Sequence, residues 1–351
     1  MHEKARAART LRTAEDLAAA GLVAPSAIAA TAAVGERFEI AVPPHLAALI
    51  DPADPNDPIA RQFVPDPREL DDSGRPDPIG DAALSPLPGI THRYPDRVLL
   101  KPVLTCPVYC RFCFRREVVG RDGGVLGAAE LDAAIAYIAA RPAIWEVVLT
   151  GGDPLALSDR RLADIVRRLD AIAHVQAIRV HTRVPVATPA RVTDALADAL
   201  ATEKAMHVVV HCNHPREVTP EAVAACRRFL ARGIPVLAQT VLLKGVNDDA
   251  ATLEALFRAL VRHRIRPYYL HHADLARGTG HFRTSIAAGQ ALMRDLRGRL
   301  SGLCLPTYVL DVPGGHGKVP VGPGYAGEPG AGGARAVEDP DGRVHDYPDV
   351  G

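Results

Sequence analysis

Short apolar segments alternate with stretches of helical spacing through most of the chain beyond residue 98. Runs rich in β-branched residues predict buried strands at 98–104, 145–150, 176–182, 206–211, 235–242 and 266–271. Apolar residues three or four positions apart predict helices at 128–140, 159–173, 189–201, 219–232, 250–263 and 284–301. This alternation predicts an α/β fold, a parallel sheet with crossover helices. Six units are too few for the eight-stranded barrel, so we expect an open, partial barrel with its site at the carboxyl ends of the strands.

The two ends of the chain have different patterns. Residues 3–33 place Ala and Leu at helical spacing, with Thr13 as a candidate N-cap. Proline and aspartate recur between Asp51 and Pro95, which predicts an extended arm on a folded surface or, alternatively, a disordered linker. Residues 325–351 are rich in Gly, Asp and Pro and predict a mostly irregular tail. The expected division is a helical segment and arm at 1–95, a core at 96–312, and a final loop and tail at 313–351.

Composition narrows the class of protein. The 351 residues carry 41 Lys and Arg against 41 Asp and Glu, so no basic surface predicts a nucleic-acid partner. No apolar run approaches the length of a membrane span, and the N-terminus lacks the apolar core of a signal peptide. We therefore expect a cytoplasmic protein without a nucleic-acid or membrane partner.

Three of the six cysteines fall within eight residues, just after the first predicted strand. Cys106, Cys110 and Cys113 offer soft thiolate ligands, one fewer than the four that saturate a [4Fe–4S] cluster. A zinc knuckle is the alternative, although it needs four ligands and no second cysteine pair is present. A disulfide is disfavoured because nothing in the sequence indicates a secreted chain.

The C-x3-C-x2-C pattern, with Phe112 before its last cysteine, resembles the radical S-adenosylmethionine (SAM) superfamily. The Arg115-Arg116 pair narrows the resemblance to the lysine 2,3-aminomutase family, as do segments 54–59 and 91–97. The resemblance implies a radical SAM partial (β/α)6 barrel, a [4Fe–4S] cluster on the three cysteines, and an ordered N-terminal arm. It also implies that SAM binds the open iron of that cluster.

Two glycine-rich segments follow strands of the core. Gly151-Gly152-Asp153 is by itself a common turn, but it resembles the family's segment that binds the amino group of SAM. Residues 311–320 contain Lys318 in a glycine-rich turn. In this family, the lysine of such a turn is the covalent anchor of pyridoxal 5′-phosphate (PLP).

Further residues have roles that the resemblance implies. Arg93, Tyr94 and Arg97 correspond to the family's PLP phosphate site, and two arginines four positions apart suit a dianionic phosphate. Gln239 is a candidate cofactor contact at a strand end. His211 also lies at a strand end, but we expect an ordinary hydrogen-bonded histidine there.

The resemblance assigns three residues to the substrate. Asp274 and Asp311 look like the two carboxylates that hold the distal ammonium group in lysine aminomutases. Arg115 would hold the α-carboxylate, with Arg116 supporting it. Together these residues favour a cationic amino acid.

The chain also departs from the family pattern. His271 stands where the family often has tyrosine, and His316 where it commonly has glycine. No cysteine follows Cys304, so the zinc-binding cysteine cluster of longer members is missing. We expect Cys212, Cys226 and Cys304 to be ordinary buried thiols.

The function that the resemblance implies is a 2,3-aminomutase that converts L-lysine to β-lysine by a radical 1,2-amino shift. One alternative is lysine isomerisation linked to elongation factor P, or action on another basic amino acid. An alternative of another class is a non-catalytic protein that binds an iron–sulfur cluster and SAM. As partners we expect an external electron donor of the flavodoxin or ferredoxin type and further copies of the chain.

Overall fold

A nine-stranded sheet forms the centre of the computed structural model, which describes residues 9–120, 124–330 and 333–349. The strands are ordered in the sheet as they are in the chain, with β2 to β8 parallel and with β1 and β9 antiparallel at the two edges. Their bounds are β1 Ile90–Tyr94, β2 Arg97–Val103, β3 Glu146–Gly151, β4 Ala177–Thr182, β5 Ala205–His211, β6 Val236–Leu242, β7 Ile265–His272, β8 Thr307–Val312 and β9 Gly317–Pro320.

Helices cover the outer face of this sheet and form the N-terminal region. Their bounds are α1 Ala14–Ala19, α2 Ile28–Arg37, α3 Pro44–Leu49, α4 Pro58–Phe63, α5 Ala128–Ala139, α6 Asp159–Asp170, α7 Val184–Ala187, α8 Asp194–Asp198, α9 Pro220–Leu230, α10 Ala250–Arg262 and α11 Ile286–Arg299. Short 3-10 turns lie at Pro25–Ala27, Pro67–Leu70, Pro154–Ala156, Pro189–Arg191, Pro215–Glu217, Gly280–Phe282 and Gly302–Cys304. None of the helices in the described ranges is long and apolar enough to cross a membrane.

The predicted βα rhythm is confirmed. All six predicted strands form, each within one residue of its expected bounds, and five of the six predicted helices form. The helix predicted at 189–201 is wrong, because the chain there forms a 3-10 turn and the five-residue α8 instead. Thr193 separates the two with an extended backbone, and its side chain caps α8 by accepting a hydrogen bond from the Leu196 amide.

Residues alternate between two environments along the strands. In β2, Val98 and Leu100 are buried in the main hydrophobic cluster between sheet and helices. Arg97, Leu99 and Lys101 are only half-buried and face the barrel interior. The interior face therefore carries polar side chains, while the outer face supplies the core.

The N-terminal arm is ordered. Thr13 caps α1 by accepting a hydrogen bond from the Asp16 amide, as predicted, while residues 1–8 of the predicted helical segment lie outside the described ranges. Ile59 and Phe63 of the arm are fully buried, in one cluster with Val108 of the cysteine loop. This burial contradicts the disordered-linker alternative, because the arm packs directly on the loop.

The C-terminal tail contains regular structure that the sequence analysis did not predict. Strands β10 Ala326–Pro329, β11 Ala334–Glu338 and β12 Val344–Pro348 form a separate antiparallel sheet. The prediction of an irregular tail is therefore wrong for these residues. Every residue of β10 and β12 is exposed, so neither strand shows the alternation of buried and exposed positions that identifies a strand in sequence.

Candidate active site

The three clustered cysteines lie on an irregular loop at the carboxyl end of β2. Cys106, Cys110 and Cys113 are all free thiols, and the Cys113 amide donates a 3.0 Å hydrogen bond to the Cys110 carbonyl. Burial raises the pKa of all three thiols, to about 11 for Cys110. Buried thiols of this kind lose their protons readily only to a partner that binds the thiolates, as a metal centre does.

The arrangement of these thiols indicates which metal centre they fit. Within residues 9–120, 124–330 and 333–349, no group of three or more His, Cys, Asp or Glu side chains is set to hold a metal ion. A zinc ion draws its thiolates to about 2.3 Å from one centre, whereas a [4Fe–4S] cluster binds each cysteine through a different iron. By ligand number, three thiolates match a [4Fe–4S] cluster that keeps one iron open, whereas a structural zinc site needs a fourth ligand.

An arginine that the sequence analysis missed contacts the cysteine loop. Arg183, immediately after β4, places Nη1 3.4 Å from Sγ of Cys110. Its Nη2 donates hydrogen bonds to Glu217 (2.6 Å) and Gln62 (2.7 Å). Arg183 is 5% exposed, so it supplies a buried positive charge beside one of the three thiols.

A buried ionic cluster holds the cysteine loop to the arm. Glu69 of the arm accepts hydrogen bonds from Nε (2.9 Å) and Nη2 (2.6 Å) of Arg111 and also contacts Arg116. All three side chains have no exposed surface. Arg116 also donates to the carbonyl of Gly278, 3.1 Å away. Arg116 thus connects the cysteine loop to Glu69 of the arm and to the backbone at Gly278.

The glycines after β3 allow a close backbone approach. Gly151 has a φ of +110°, and a Cβ there would lie 2.6 Å from the Val103 carbonyl oxygen. A Cβ on Gly152 would lie 2.4 Å from the carbonyl oxygen of Thr105. Any side chain at Gly152 would therefore push the backbone just before Cys106. These two glycines are required by the contact between β3 and the cysteine loop.

Asp153 directs its carboxylate to the end of β4. It accepts hydrogen bonds from Thr182 Oγ1 (2.8 Å) and from the amides of Arg183 (2.7 Å) and Leu155 (3.0 Å). Burial raises the pKa of this carboxyl group above its ordinary value, despite those hydrogen bonds. Asp153 therefore joins β3 to β4, while the amides of Gly152 and Asp153 donate hydrogen bonds to the carbonyls of Val103 (2.7 Å) and Thr105 (3.0 Å).

Lys318 lies on edge strand β9, directly opposite Asp311 of β8. Its Nζ forms an ion pair with Asp311 and lies 3.2 Å from Nδ1 of His271. Its backbone amide donates a 2.6 Å hydrogen bond to the hydroxyl oxygen of Tyr94. Burial alone would raise the pKa of Asp311, but its contacts with His271 and Lys318 outweigh burial and hold the pKa well below its ordinary value.

Gln239 is the centre of a histidine cluster in the barrel interior. Its Oε1 lies 3.2 Å from Nε2 of His271, and its Nε2 contacts His211 and lies 3.3 Å from Nδ1 of His181. Burial lowers the pKa of His271 to about 4 and that of His211 to about 3. These histidines are neutral near pH 7, so the cluster adds hydrogen-bonding groups without charge.

Asp274 follows β7 and differs from Asp311 in its surroundings. Within the described residues its carboxylate makes no hydrogen bond or ion pair. Burial, followed by the nearby charge of Asp311, raises the pKa of Asp274 to about 7. A half-buried carboxylate without a partner can accept a charge-assisted hydrogen bond, so Asp274 and Asp311 together fit a cationic ligand.

The predicted anion-binding arginines lie close to one of these carboxylates, with Nη1 of Arg93 4.0 Å from Oδ1 of Asp311. Arg93 and Arg115 both pair with Asp81 of the arm, and Nε of Arg93 is buried without a hydrogen-bond partner. An unsatisfied guanidinium donor fits the phosphate of PLP. Arg97 stacks 3.7 Å above the Tyr94 ring and pairs with Asp96. Its guanidinium group therefore does not join that of Arg93, contrary to the prediction.

Two results concern residues outside the predicted site. His316 is exposed at its turn, so its side chain does not fill the interior. Cys212, Cys226 and Cys304 are buried free thiols, as predicted. Asp81 of the arm and Lys101 of β2 were not predicted, although both lie beside Arg93 and Arg115. In the sequence, Asp81 is unusual only in following a glycine, and Lys101 only in lying within an apolar strand.

Comparisons with known proteins agree with this geometry. Residues 100–256 match the model of the Radical SAM superfamily, and residues 293–328 match a lysine-2,3-aminomutase model. The L-lysine 2,3-aminomutase of Acetoanaerobium sticklandii is 44% identical, over 83% of this chain and 70% of that protein. The L-lysine 2,3-aminomutase of Clostridium subterminale is 42% identical over the same shares.

A relative named for a different amino acid is also similar. The glutamate 2,3-aminomutase of Clostridioides difficile is 38% identical, over 83% of this chain and 69% of that protein. Overall similarity therefore identifies the family more firmly than the substrate. On this evidence the chain belongs to the lysine 2,3-aminomutase family of radical SAM isomerases, which use a [4Fe–4S] cluster, SAM and PLP.

Proposed function

We propose that this protein converts L-lysine to β-lysine by moving the amino group from C2 to C3. One observation carries the choice of lysine: the half-buried carboxylate of Asp274 makes no hydrogen bond or ion pair within the described residues and lies near Asp311. Two carboxylates at one end of a site suit a substrate with a distal ammonium group. A dicarboxylic substrate would place a third negative charge there.

The cofactors supply the chemistry, and the chain positions the reactants. When bound, the cluster with SAM supplies one-electron chemistry that removes and returns a hydrogen atom, and PLP supplies the conjugated system through which nitrogen migrates. Cys106, Cys110 and Cys113 hold the cluster. Gly151 and Gly152 let SAM approach the backbone.

The remaining roles divide between cofactor and substrate. Arg93, with Tyr94, receives the PLP phosphate, and Gln239 is a polar contact in the interior. Arg115 holds the α-carboxylate of the substrate through its charge and its planar donors. Because Arg115 lies two residues beyond Cys113, one loop carries both the cluster and a substrate anchor.

Asp311 serves two amines in turn. In this structure it is paired with Lys318, the proposed covalent anchor of PLP. Lys318 must release a proton from Nζ before it can bind a carbonyl carbon, and Nδ1 of His271, 3.2 Å away, is a hydrogen-bond acceptor that orients Nζ. Asp311 is then released to pair with the distal ammonium group of lysine.

The surroundings of the enzyme are also part of the proposal. We propose an external one-electron donor of the flavodoxin or ferredoxin type, because this chain's described residues include no second cysteine cluster. A buried cluster that needs reduction suits the reducing cytoplasm, and we propose that the chain works there as a homo-oligomer.

The test is a product assay without a presumed substrate. Anaerobically reconstituted protein is incubated with SAM, PLP, dithionite and a pool of amino acids, and mass spectrometry identifies any β-amino acid. We expect β-lysine alone; conversion of a different amino acid with lysine untouched would refute the substrate assignment. Cys113→Ala is expected to abolish conversion, while Cys226→Ala, a buried thiol outside the loop, is the matched control.

A second measurement separates the alternatives. Separate assays with L- and D-lysine, followed by chiral analysis of the product, distinguish the free-lysine reaction from one linked to elongation factor P. Tight binding of SAM without its cleavage, in the presence of PLP and lysine, would instead support the non-catalytic alternative.

A further inference from the structure

A carboxylate of the arm bridges the two arginines at the anion-binding side of the site. Oδ1 of Asp81 accepts a 3.0 Å hydrogen bond from Nη2 of Arg93. Oδ2 accepts a 2.8 Å hydrogen bond from Nε of Arg115. The three side chains are only 11–13% exposed. One buried carboxylate therefore connects the proposed phosphate-binding arginine with the proposed carboxylate-binding arginine.

The backbone around Asp81 is fixed on both sides. The Asp77 carboxylate accepts hydrogen bonds from the amides of Asp81 (2.9 Å) and Ala82 (2.8 Å). A Cβ on Gly80 would lie 2.7 Å from the carbonyl carbon of Gly314, in the turn that leads to Lys318. Asp81 is thus held against the cofactor turn by the arm, so its carboxylate has little freedom to follow the arginines if they move.

Positive side chains outnumber the single carboxylate of Asp81 at this place. Arg93, Arg115 and Lys101 face it, and Lys101 lies 3.4 Å from the Ser85 hydroxyl. Burial, and then the charge of Arg115, lowers the pKa of Lys101. Burial alone would raise the pKa of Asp81, but the charges of Arg115, Lys101 and Arg93 and the hydrogen bond from Arg115 together outweigh burial and lower the pKa. Without this carboxylate the cations would repel one another in a site that water screens poorly.

Each arginine keeps donors that Asp81 does not use. Nε of Arg93 has no hydrogen-bond partner, and its Nη1 is 4.0 Å from Oδ1 of Asp311. Nη1 of Arg115 is 3.4 Å from the Thr150 hydroxyl, and its Nη2 makes no hydrogen bond within the described residues. The bridge therefore orients both guanidinium groups and leaves donors on each for an incoming anion.

We propose that Asp81 is a positioning residue that sets Arg93 and Arg115 for two separate anions, a phosphate monoester and an amino-acid carboxylate. The inference rests on the proposed function, because it takes its two anions from the cofactor and substrate named there. It adds a residue of the arm to the site and gives the ordered arm a functional reason. Loss of Asp81 weakens recognition of both anions at once.

The experiment compares PLP with pyridoxal, which lacks the phosphate. Each is titrated into the full-length protein without added cofactor, and absorbance gives the ratio of the two affinities. Asp81→Asn removes the charge with little change in volume and is expected to lower the PLP-to-pyridoxal ratio about tenfold, the effect of one lost charge-assisted hydrogen bond. The same variant is expected to raise KM for lysine about tenfold with a much smaller change in kcat.

Two further variants complete the test. Asp57→Asn is the matched control, because Asp57 is a fully buried arm aspartate that pairs with Arg216 away from the site; it is expected to keep the wild-type ratio. Asp81→Glu retains the charge but moves the carboxylate by one methylene group. If Asp81 acts by positioning the two arginines, the PLP-to-pyridoxal affinity ratio of Asp81→Glu is expected to lie between those of the wild-type protein and Asp81→Asn.

The outcomes separate this inference from the proposed function. A wild-type ratio in Asp81→Asn overturns the role of Asp81, and so does a raised one. If Asp81→Asn does not fold, a wild-type ratio in Asp81→Glu overturns it equally. A wild-type protein that binds PLP no more tightly than pyridoxal would instead contradict the proposed phosphate site, and with it the proposed function.

Discussion

Nζ of Lys318 lies 3.2 Å from Nδ1 of His271, a histidine that stands where the family often has tyrosine. Nε2 of His271 is 3.2 Å from the amide oxygen of Gln239. That oxygen can only accept a hydrogen bond, so Nε2 carries the proton and Nδ1 presents a lone pair to Lys318. Burial and then the charge of Lys318 lower the pKa of His271 to about 4, so the ring is a neutral acceptor at pH 7.

The first prediction concerns this acceptor. His271→Phe is expected to slow the association of PLP at pH 7 by about tenfold, because Nζ of Lys318 loses the hydrogen-bond acceptor that orients it. Stopped-flow absorbance measures this rate, and equilibrium titration is expected to show a smaller effect. His272→Phe is the matched control, because His272 is the next residue of β7 and contacts Tyr308 instead. An unchanged association rate in His271→Phe would refute the role.

The second prediction is a pH dependence at Asp274. Its pKa of about 7 lies above its ordinary value, so the carboxyl group is largely protonated at pH 6 and largely ionised at pH 8. A ligand ammonium group needs the ionised form. The affinity for 6-aminohexanoate, a lysine analogue without the α-amino group, is therefore expected to rise about tenfold from pH 6 to pH 8.

Calorimetry at several pH values measures both the affinity and the protons released. At pH 7, binding is expected to release about half a proton, because about half of the Asp274 carboxyls are protonated there. Asp274→Asn is expected to remove this pH dependence and to weaken binding at pH 8. A wild-type affinity that stays constant between pH 6 and pH 8 would show that Asp274 does not receive the ammonium group.

The sequence predicted local features of the site better than its long-range partners. Cys106, Cys110 and Cys113 are recognisable because their spacing lies within one loop. The contacts of Lys318 with His271 and of Asp81 with Arg115 join residues from different elements, and no periodicity reports such pairs. Asp274 and Asp311 were both predicted, but the sequence did not reveal that, among residues 9–120, 124–330 and 333–349, Asp311 has a partner and Asp274 has none.

In the fold, too, features set by local sequence were predicted better than those set by distant partners. Strands β2 to β7 are apolar runs buried by the helices, so each could be predicted from its own residues. Edge strands β1 and β9 are short and partly exposed, and their pairing depends on neighbours that the local sequence does not specify. In the tail, glycine and proline indicated irregular structure, yet cross-strand pairing forms β10 to β12.

The third prediction concerns the buried charge of Glu69. Glu69→Gln leaves Arg111 and Arg116 without their carboxylate in a region with no exposed surface. The loss of unfolding free energy is expected to be about 3–5 kcal/mol, measured by urea denaturation. Asp66→Asn removes a half-exposed arm carboxylate that pairs with Arg68, and its expected cost is about 1 kcal/mol or less. Equal losses in the two variants would contradict the structural importance of the buried cluster.

The last prediction concerns Arg183, whose Nη1 lies 3.4 Å from Sγ of Cys110. A positive charge and a hydrogen bond at a ligand sulfur stabilise the reduced, more negative state of a cluster, and so raise its reduction potential. Arg183→Met is therefore expected to lower the potential by on the order of 60 mV, equivalent to a tenfold change in a one-electron equilibrium. Redox titration followed by electron paramagnetic resonance measures this shift.

Two controls separate that effect from damage to the fold. Arg179→Met removes an arginine of β4 that pairs with Glu146, and it is expected to leave the potential unchanged. Arg183→Met also leaves the buried carboxylate of Glu217 without its arginine partner. The double variant with Glu217→Gln is therefore expected to be more stable than the single variant. Because the sulfur still lacks its donor, the double variant is expected to keep a lowered potential; a wild-type potential in both would show that Arg183 supports the loop without tuning the cluster.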